Sequence, residues 1–277
     1  LVALFITFFL GVRDDLIPLK AKLKLVGQIL AALMVIFLFD LRIKSLYGLF
    51  GVYDIPDIVS YIITLFTIIV VTNSFNLIDG LDGLAGTIAT IAMIMFGFWF
   101  FIVGDTIFAL LSFCMLGGIF AFLIFNWEPS EVFMGDTGAL VIGMMLSILV
   151  IHFIDFNFGL PDGYPYKFEG SIATGACLII IPLVDTTRII ILRLSKNQSP
   201  FTPDKSHIHH AIMRLGMSHS QTTLILGAVH IFYIILAVIF REVGDTYLVP
   251  GILILSVILS ITLDRLILGR LSTKESE

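Results

Sequence analysis

The sequence is poor in charge and in cysteine. Only 13% of its 277 residues are Asp, Glu, Lys or Arg, whereas 58% are hydrophobic, and the mean hydropathy is +1.06. This composition excludes an ordinary soluble domain and indicates an integral membrane protein. Cys114 and Cys177 both lie inside apolar runs, which excludes a disulfide framework. The modest net charge of −5 argues against a nucleic-acid partner.

The chain also has no internal repeat, no low-complexity tract and no recognisable soluble domain. It has apolar runs of membrane length, which predict helices because a lone helix satisfies its own backbone in lipid. The predicted segments are 1–11 (partial), 25–39, 58–75, 84–103, 106–125, 138–154, 171–192, 222–240 and 248–264. We therefore expect an all-α, polytopic transmembrane helix bundle of about nine segments in a single integral-membrane domain over 1–277.

The first segment is too short to cross a bilayer. About 11 apolar residues cover roughly half of the hydrocarbon core at the rise of an α-helix. The sequence therefore predicts that N-terminal helices are missing ahead of Leu1, and no signal peptide can be recognised.

The basic residues are distributed unevenly between the two ends of the predicted spans. Alternating spans place joints 12–24, 76–83, 126–137 and 193–221 and the C-terminal tail on one face. That face carries twelve of the 16 basic residues, and the opposite face carries Arg42, Lys44, Lys167 and Arg241. Because Lys and Arg accumulate on the cytoplasmic side, the first face is predicted to be cytoplasmic.

Every unusual polar cluster lies on that face, and the first two are acidic. GVRDD (11–15) contains adjacent Asp14 and Asp15, for which a solvated helix end is the simpler interpretation. NSFNLIDGLDGLAG (73–86) places Asn76, Asp79 and Asp82 between two apolar runs, with Asp79 and Asp82 on one face of a helical turn. A polar turn with an N-cap needs fewer such groups, so we favour a functional role for this cluster.

The third cluster, FNWEPSEVFMGDTGAL (125–140), precedes a predicted helix start near Gly138. An N-cap explains one of Asp136 and Thr137. The addition of Asn126 and Phe133 suggests a binding role, and the two interpretations are evenly balanced from the residues alone.

The fourth cluster, SPFTPDKSHIHHAIMRLG (199–216), predicts a short helix capped by Asp204 with His207, His210 and Arg214 on one face. A zinc site is disfavoured because adjacent His209 and His210 cannot both reach one ion from a regular helix. A cationic, hydrogen-bonding rim for phosphates fits better. An amphipathic helix on the membrane surface remains compatible with that role.

Together the clusters point to a metal-bridged phosphate ester. Carboxylate and amide oxygens select Mg²⁺, with Mn²⁺ as the alternative, and Mg²⁺ fills its remaining positions with water and substrate phosphate. A diphosphate substrate at the surface of so apolar a bundle implies a second, lipidic substrate.

The four stretches, in this order, resemble the polyprenyl-phosphate N-acetylhexosamine-1-phosphate transferases over nearly the whole chain. The FTPDKSHIHH stretch is most similar to the bacterial undecaprenyl-phosphate GlcNAc-1-phosphate transferases. The relative that transfers phospho-MurNAc-pentapeptide has a triple-His loop instead. The resemblance implies a bundle of ten or eleven transmembrane helices with a cytoplasmic active site, so that about two helices would precede Leu1.

The resemblance also implies roles for individual residues. Asn76 and Asp136 match the Mg²⁺ ligands, and Asp14 and Asp15 match an acidic pair near the lipid phosphate that includes a proposed catalytic base. The residues that match substrate-binding positions, with Arg214 added from the predicted basic face, are Asp79, Asp82, Asn126, Phe133, His207, His209, His210 and Arg214.

The implied reaction is Mg²⁺-dependent transfer of a HexNAc-1-phosphate from UDP-N-acetylhexosamine to polyprenyl phosphate, which releases UMP and starts an envelope glycan such as lipopolysaccharide or teichoic acid. The expected location is the inner (plasma) membrane, with membrane lipid as a partner and a homodimer left open. Two alternatives stay open: phospho-MurNAc-pentapeptide transfer, and a membrane transporter with polar groups at broken helices. Transporters place such charges at mid-membrane, whereas here they gather at one face.

Overall fold

The computed structural model describes residues 1–195, 197, 199 and 207–274, with side chains as far as residue 267. In this part the regular secondary structure is helical, apart from one isolated bridge between Ser45 and Asp54. The α-helices found there are α1 (Val2–Leu16), α2 (Ala21–Phe39), α3 (Asp57–Ile78), α4 (Leu84–Ile102), α5 (Thr106–Asn126), α6 (Gly135–Gly159), α7 (Ser171–Cys177), α8 (Ile180–Ser195), α9 (Ile208–Arg214), α10 (His219–Ile239) and α11 (Asp245–Lys274). Seven of them, α2 to α6, α10 and α11, are long and apolar enough to cross a membrane. The predicted all-α, polytopic bundle is confirmed.

The predicted segment 171–192 is a broken span rather than one straight helix. α7 and α8 meet at an angle of 87°. Pro182 has no N–H to donate to the carbonyl of Leu178, as a continuous helix would require. His230 of α10 donates to that carbonyl from Nε2 instead, at 3.0 Å. Counted as one span, the pair gives up to eight, and α1 completes the nine predicted segments.

α6 lies at the centre of the bundle, with 72% of its apolar stretch buried against 17% for α5. Glycine lets the neighbouring backbones come close. A Cβ on Gly143 would lie 2.9 Å from the Thr72 Cα of α3, and a Cβ on Gly11 would lie 2.4 Å from the Thr137 Cα of α6. Small residues permit such contacts between membrane helices. α1 and α3 therefore pack directly on α6.

The polar joints gather at two ends of the bundle, as the sequence predicts. At one end Asp82 bonds to both Ser130 and His219, which joins three of the four motif-bearing segments. At the other end the hydroxyl of Thr246 accepts from the Phe50 backbone N–H at 3.0 Å. α6 runs from the first end to the second.

Candidate active site

Asp15, near the end of α1, caps the first turn of α6. Its Oδ1 accepts from the Asp136 N–H at 2.8 Å, and its Oδ2 accepts from the Thr137 N–H at 3.0 Å and from the Thr137 hydroxyl. Burial would raise the pKa of Asp15, but these hydrogen bonds outweigh it and hold the pKa below its usual value. α6 begins at Gly135 rather than near Gly138, and its capping carboxylate comes from another helix.

Lys24 of α2 links two of the acids. Its Nζ lies 3.1 Å from Asp14 Oδ2 and also bonds to Asp136 Oδ1. Asn76 Nδ2 donates to that same Asp136 oxygen at 2.6 Å. The second oxygen of Asp14 accepts from the Leu19 N–H at 2.6 Å. The end of α1, the start of α2, the end of α3 and the start of α6 therefore meet around the Asp136 carboxylate.

Asp79 lies directly after α3 and adds a carboxylate without a counter-charge. Its side chain makes no hydrogen bond or ion pair with any residue that the structure describes. Burial, followed by the nearby charges of Asp136 and Asp15, raises the pKa of Asp79 to about 6. We refer to Asp14, Asp15, Asp79 and Asp136 as the acid cluster, in which the ammonium of Lys24 contacts Asp14 and Asp136.

The acid cluster has the chemistry of a site for a divalent cation. The uncompensated charge of Asp79 favours a cation, and the ammonium of Lys24 already lies between Asp14 and Asp136. The oxygen and nitrogen of the Asn76 amide are assigned from the hydrogen-bond network, so the flipped amide presents an oxygen ligand. No ready-made group of three or more His, Cys, Asp or Glu ligands occurs among the described residues. Mg²⁺ suits this arrangement because it takes few protein ligands.

Asp79 and Asp82 do not share a helical face, contrary to the sequence prediction. α3 ends at Ile78, and both acids lie in the loop that follows. Asp79 faces the acid cluster, whereas Asp82 accepts from the Ser130 hydroxyl at 2.8 Å and lies 3.1 Å from His219 Nδ1. Asp82 thus ties its loop to the two neighbouring segments.

Glu128 makes a second link between the loop that carries Ser130 and the start of α10. Its Oε2 accepts from both the backbone N–H and the hydroxyl of Ser220 at 2.6 Å, at the start of α10. The hydroxyl bond is the largest influence that lowers the pKa of Glu128 below its usual value. A carboxylate at a helix N-terminus is favourable there.

Asn126 and Phe133 differ sharply in exposure. Asn126 is 4% exposed, and its amide is used within the loops: Oδ1 accepts from the Gly83 N–H at 3.0 Å, and Nδ2 donates to the Val132 carbonyl at 2.8 Å. Phe133 is 78% exposed. Of the two, only Phe133 presents a free surface to a ligand.

His207 lies ahead of α9 rather than inside a helix. The helix begins at Ile208, and the predicted cap Asp204 lies outside the described residues. His207 Nδ1 is 2.8 Å from Asp185 Oδ2, and the Ile208 N–H donates to Asp185 Oδ1 at 2.7 Å. Asp185, which is 2% exposed, therefore holds the start of this segment in place.

His209 is buried against the loop that carries Asp79. Its Nε2 lies 3.2 Å from the position of a Cβ on Gly80, and its ring is 4.3 Å from that of His210. Burial lowers the pKa of His209 to about 4, so this imidazole is neutral at pH 7. His209 can offer hydrogen bonds but no charge. Of the predicted face shared by His207, His210 and Arg214, His207 lies just ahead of the helix, with its ring 6.4 Å from that of His210.

Sequence reasoning missed two residues that organise the site. Lys24 was recognised only as the last of the basic residues (Lys20, Lys22 and Lys24) that Asp14 and Asp15 could organise, and nothing in the sequence indicated its bond to Asp136. Asp185 was missed although it carried a signal: an acid inside an apolar segment is a functional hypothesis by default. Nothing in the sequence showed which residue Asp185 would contact.

The chain is similar in sequence to known proteins. Residues 1–154 match the model of glycosyl transferase family 4. A probable undecaprenyl-phosphate N-acetylglucosaminyl 1-phosphate transferase of Bacillus subtilis is 33% identical over 139 residues, which are 50% of this chain and 36% of that protein. A decaprenyl-phosphate N-acetylglucosaminephosphotransferase of Mycolicibacterium smegmatis is 31% identical over 160 residues, 54% of this chain and 39% of that protein.

The undecaprenyl-phosphate alpha-N-acetylglucosaminyl 1-phosphate transferase of Escherichia coli K12 is 32% identical over 127 residues, 44% of this chain and 32% of that protein. The chain thus spans between 32% and 39% of the length of these three relatives. Residues 1–154, which match the family model, include all four residues of the acid cluster.

Proposed function

The chain belongs to glycosyl transferase family 4, and from that premise we propose that it transfers N-acetylglucosamine 1-phosphate from UDP-GlcNAc to a polyprenyl phosphate. The observation that carries this proposal is the acid cluster with Lys24 at one end of a multi-pass apolar bundle. The cluster suits a metal-bridged diphosphate, and the bundle suits a lipid acceptor. The names of the relatives support both substrate classes.

The proposed reaction is an in-line displacement. An oxygen of the polyprenyl phosphate attacks the β-phosphorus of the donor, the bond from that phosphorus to the bridging oxygen breaks, and UMP leaves. Bound Mg²⁺ supplies neutralisation of the diphosphate charge. Asp136, Asn76 and Asp79 would hold it, and Lys24 would orient the acceptor phosphate, so that catalysis consists mainly of positioning and charge stabilisation.

The acceptor needs little help from a base. The second pKa of a phosphate monoester is about 6, so much of the polyprenyl phosphate is already dianionic at pH 7. Asp15 is poorly suited to be a base, because its oxygens hold the start of α6 and its pKa is lowered. Asp14 contacts Lys24 directly, and we assign to it the orientation of that ammonium.

The donor would lie beside the acid cluster, towards the remaining motif residues. The exposed ring of Phe133 offers a stacking surface for uracil. The neutral His209 and its neighbour His210 offer hydrogen bonds to the sugar or diphosphate. Asn126 and Asp82 would act indirectly, since their polar atoms fasten the loops that form the walls.

We place this end of the bundle on the cytoplasmic side of the plasma membrane. Two arguments support the orientation: the predominance of basic residues in the joints at this end, and the cytosolic supply of nucleotide sugars to a UDP-GlcNAc-dependent reaction.

The test is UMP release and lipid labelling in membranes that contain the protein, with undecaprenyl phosphate added. We expect UDP-GlcNAc labelled in the sugar to give a labelled lipid and one UMP per transfer. Efficient use of UDP-MurNAc-pentapeptide would overturn the donor assignment and leave the reaction class standing. Uptake of sugar without UMP release would support a transporter and contradict the proposal.

Replacing Asp15 with Asn separates a capping role from a base role. We expect a loss of about 1–2 kcal/mol in the free energy of unfolding, because Asn brings a donor towards the N–H groups of Asp136 and Thr137. The factor by which the transfer rate falls should be the same at every pH. Thermal unfolding and a pH–rate profile measure the two effects.

A base role for Asp15 predicts a different result. The rate would fall by about 10²–10⁴-fold with unchanged unfolding, and the loss would shrink as pH rises and more acceptor phosphate ionises unaided. Glu131→Gln is the matched control, since this exposed carboxylate lies at the same end and makes no side-chain bond with the described residues.

A further inference from the structure

A cavity of about 540 Å³ lies at the end of the bundle opposite the acid cluster. α6 starts at the acid cluster and ends beside this cavity, at Gly159. The residues that matter for its chemistry are Tyr47, Tyr53, Phe158, Lys167, Glu169 and Thr246. Its volume is within the range of small-molecule sites, and nothing in the proposed transfer reaction uses it.

The walls of the cavity are held in a fixed and costly conformation. Tyr47 in the cavity wall and Phe50, three residues further along the same loop, have φ values of 54° and 52°, a backbone region that non-glycine residues adopt at a cost of about 1–3 kcal/mol each. The hydroxyl of Thr246 accepts from the Phe50 N–H at 3.0 Å and donates to the Gly48 carbonyl at 3.2 Å. Strain that the surrounding contacts maintain in this way is a feature of binding sites more often than of plain connecting loops.

Most of the hydrogen-bond donors around the cavity are already used. The ammonium of Lys167 donates to the Leu160 carbonyl at 2.8 Å and to Asp162 Oδ1 at 2.7 Å. The N–H groups of Gly48 and Gly51 pair with carbonyls of their own loop, at 3.0 and 2.9 Å. These groups leave one N–H of Lys167 without a partner among the described residues, so a phosphate or carboxylate ligand would find few free donors beside the carboxylates of the lining.

The acceptors and aromatic faces remain available. The carboxylate of Glu169 makes no bond with the part of the chain that the structure describes, and that of Asp162 is 98% exposed. With the buried Asp245, three carboxylates line the cavity against the single Lys167, so the lining is net negative. The Phe158 ring lies 5.1 Å from the Tyr47 ring and 6.5 Å from the Tyr53 ring, which gathers three aromatic side chains at the carboxylates.

We propose that this cavity binds an organic ammonium group, held over the aromatic rings and paired with Glu169. Aromatic faces attract cations, and an ammonium also supplies the donors that the lining lacks. An aromatic belt at the membrane surface is the simpler explanation of Tyr and Phe at this depth. Belt side chains, however, face the lipid interface, whereas Tyr47 is only 5% exposed and its ring packs in the cavity wall.

The test is binding of choline to the purified protein in an amine-free detergent, compared with its uncharged isostere 3,3-dimethylbutan-1-ol. Titration calorimetry or saturation-transfer NMR gives the affinities. We expect choline to bind at least about 10-fold more tightly than the alcohol. Glu169→Gln and Tyr53→Leu should each weaken choline binding about 5-fold, as expected for the loss of one charge partner or one ring face.

Two control variants match these changes outside the cavity. Glu242→Gln removes an acid whose side chain is 84% exposed, and Tyr247→Leu removes an aromatic that is 78% exposed. Both should bind choline like the wild type. Equal affinity for choline and the alcohol, absence of choline binding, or competition by inorganic phosphate would each overturn the proposal.

The ammonium can belong to a free amine or to a lipid headgroup, and nanodiscs distinguish the two. If phosphatidylethanolamine displaces choline from the protein in phosphatidylglycerol nanodiscs, the occupant is a headgroup. If free ethanolamine competes and the lipid does not, the occupant is a soluble amine. Either result supports the ammonium site, and failure of both competitors contradicts it. Failure of the transfer reaction leaves this site untouched, because the measurement requires no activity.

Discussion

Asp136→Asn is expected to lower UMP release by at least about 10²–10³-fold while the protein still inserts and folds. The substituted oxygen accepts from Asn76 and bonds to Lys24, so one change removes the charge around which three helix ends converge. Removal of one preorganised electrostatic group in an active site has effects of this size. Asn76→Ala should act in the same direction. Steady-state kcat with UDP-GlcNAc and undecaprenyl phosphate measures both.

Cation binding gives a second readout that does not depend on turnover. Mg²⁺ should raise the unfolding temperature of the wild type and leave Asp136→Asn nearly unchanged, and EDTA should silence the wild-type reaction. Full activity in EDTA, or in Asp136→Asn at ordinary Mg²⁺ concentrations, would contradict the metal assignment.

The same measurement has an expected pH dependence through Asp79. Its folded pKa, about 6, lies above the usual value of 3.8 for an Asp carboxyl, so ionisation costs stability in the cation-free protein. That cost appears as pH rises from about 4 through 6, and a bound cation would relieve it. The Mg²⁺-dependent rise in unfolding temperature should therefore grow between pH 5 and pH 7.

The bundle could be predicted well because the features that indicate it, apolar run length and the order of the polar joints, lie along the chain. Apolar run length gave the spans, and alternation of the joints placed Asn76 and Asp136 at the same end, where they are bonded at 2.6 Å. The break between α7 and α8 was missed even though Pro182 was visible. Its effect depends on His230 of α10, which satisfies the carbonyl that the proline leaves free.

Roles within the site were harder to predict because they depend on contacts between distant segments. Asp15 and Asp136 are both acids in a motif, yet one caps a helix and the other meets Lys24. Helix signals near His207 were local, whereas its partner Asp185 comes from α8. Motif membership singled out residues that the structure brings together at one end of the bundle, and only the packing of α1, α6 and α8 showed which carboxylates hold a neighbouring segment in place.

That packing can be tested at Gly11, where α1 touches α6. A Cβ there would lie 2.4 Å from the Thr137 Cα and 2.8 Å from the Asp136 carbonyl oxygen, both backbone atoms that cannot rotate away. Gly11→Ala is therefore expected to push the helices apart and to cost about 2–3 kcal/mol of unfolding free energy. Asp15 is one helical turn further along α1, so its cap on α6 would be strained and the transfer rate should fall about 10²-fold.

Gly117→Ala is the matched control for this change. Gly117 also lies inside a helix, α5, but no atom is within 4 Å of the position of its Cβ. Because Ala is the better helix former by about 1 kcal/mol, this variant should be as stable as the wild type or slightly more so. Thermal unfolding in detergent and UMP release compare the two. If Gly11→Ala behaved like Gly117→Ala, the close approach of α1 to α6 would be refuted, and with it the positioning of Asp15 against the first turn of α6.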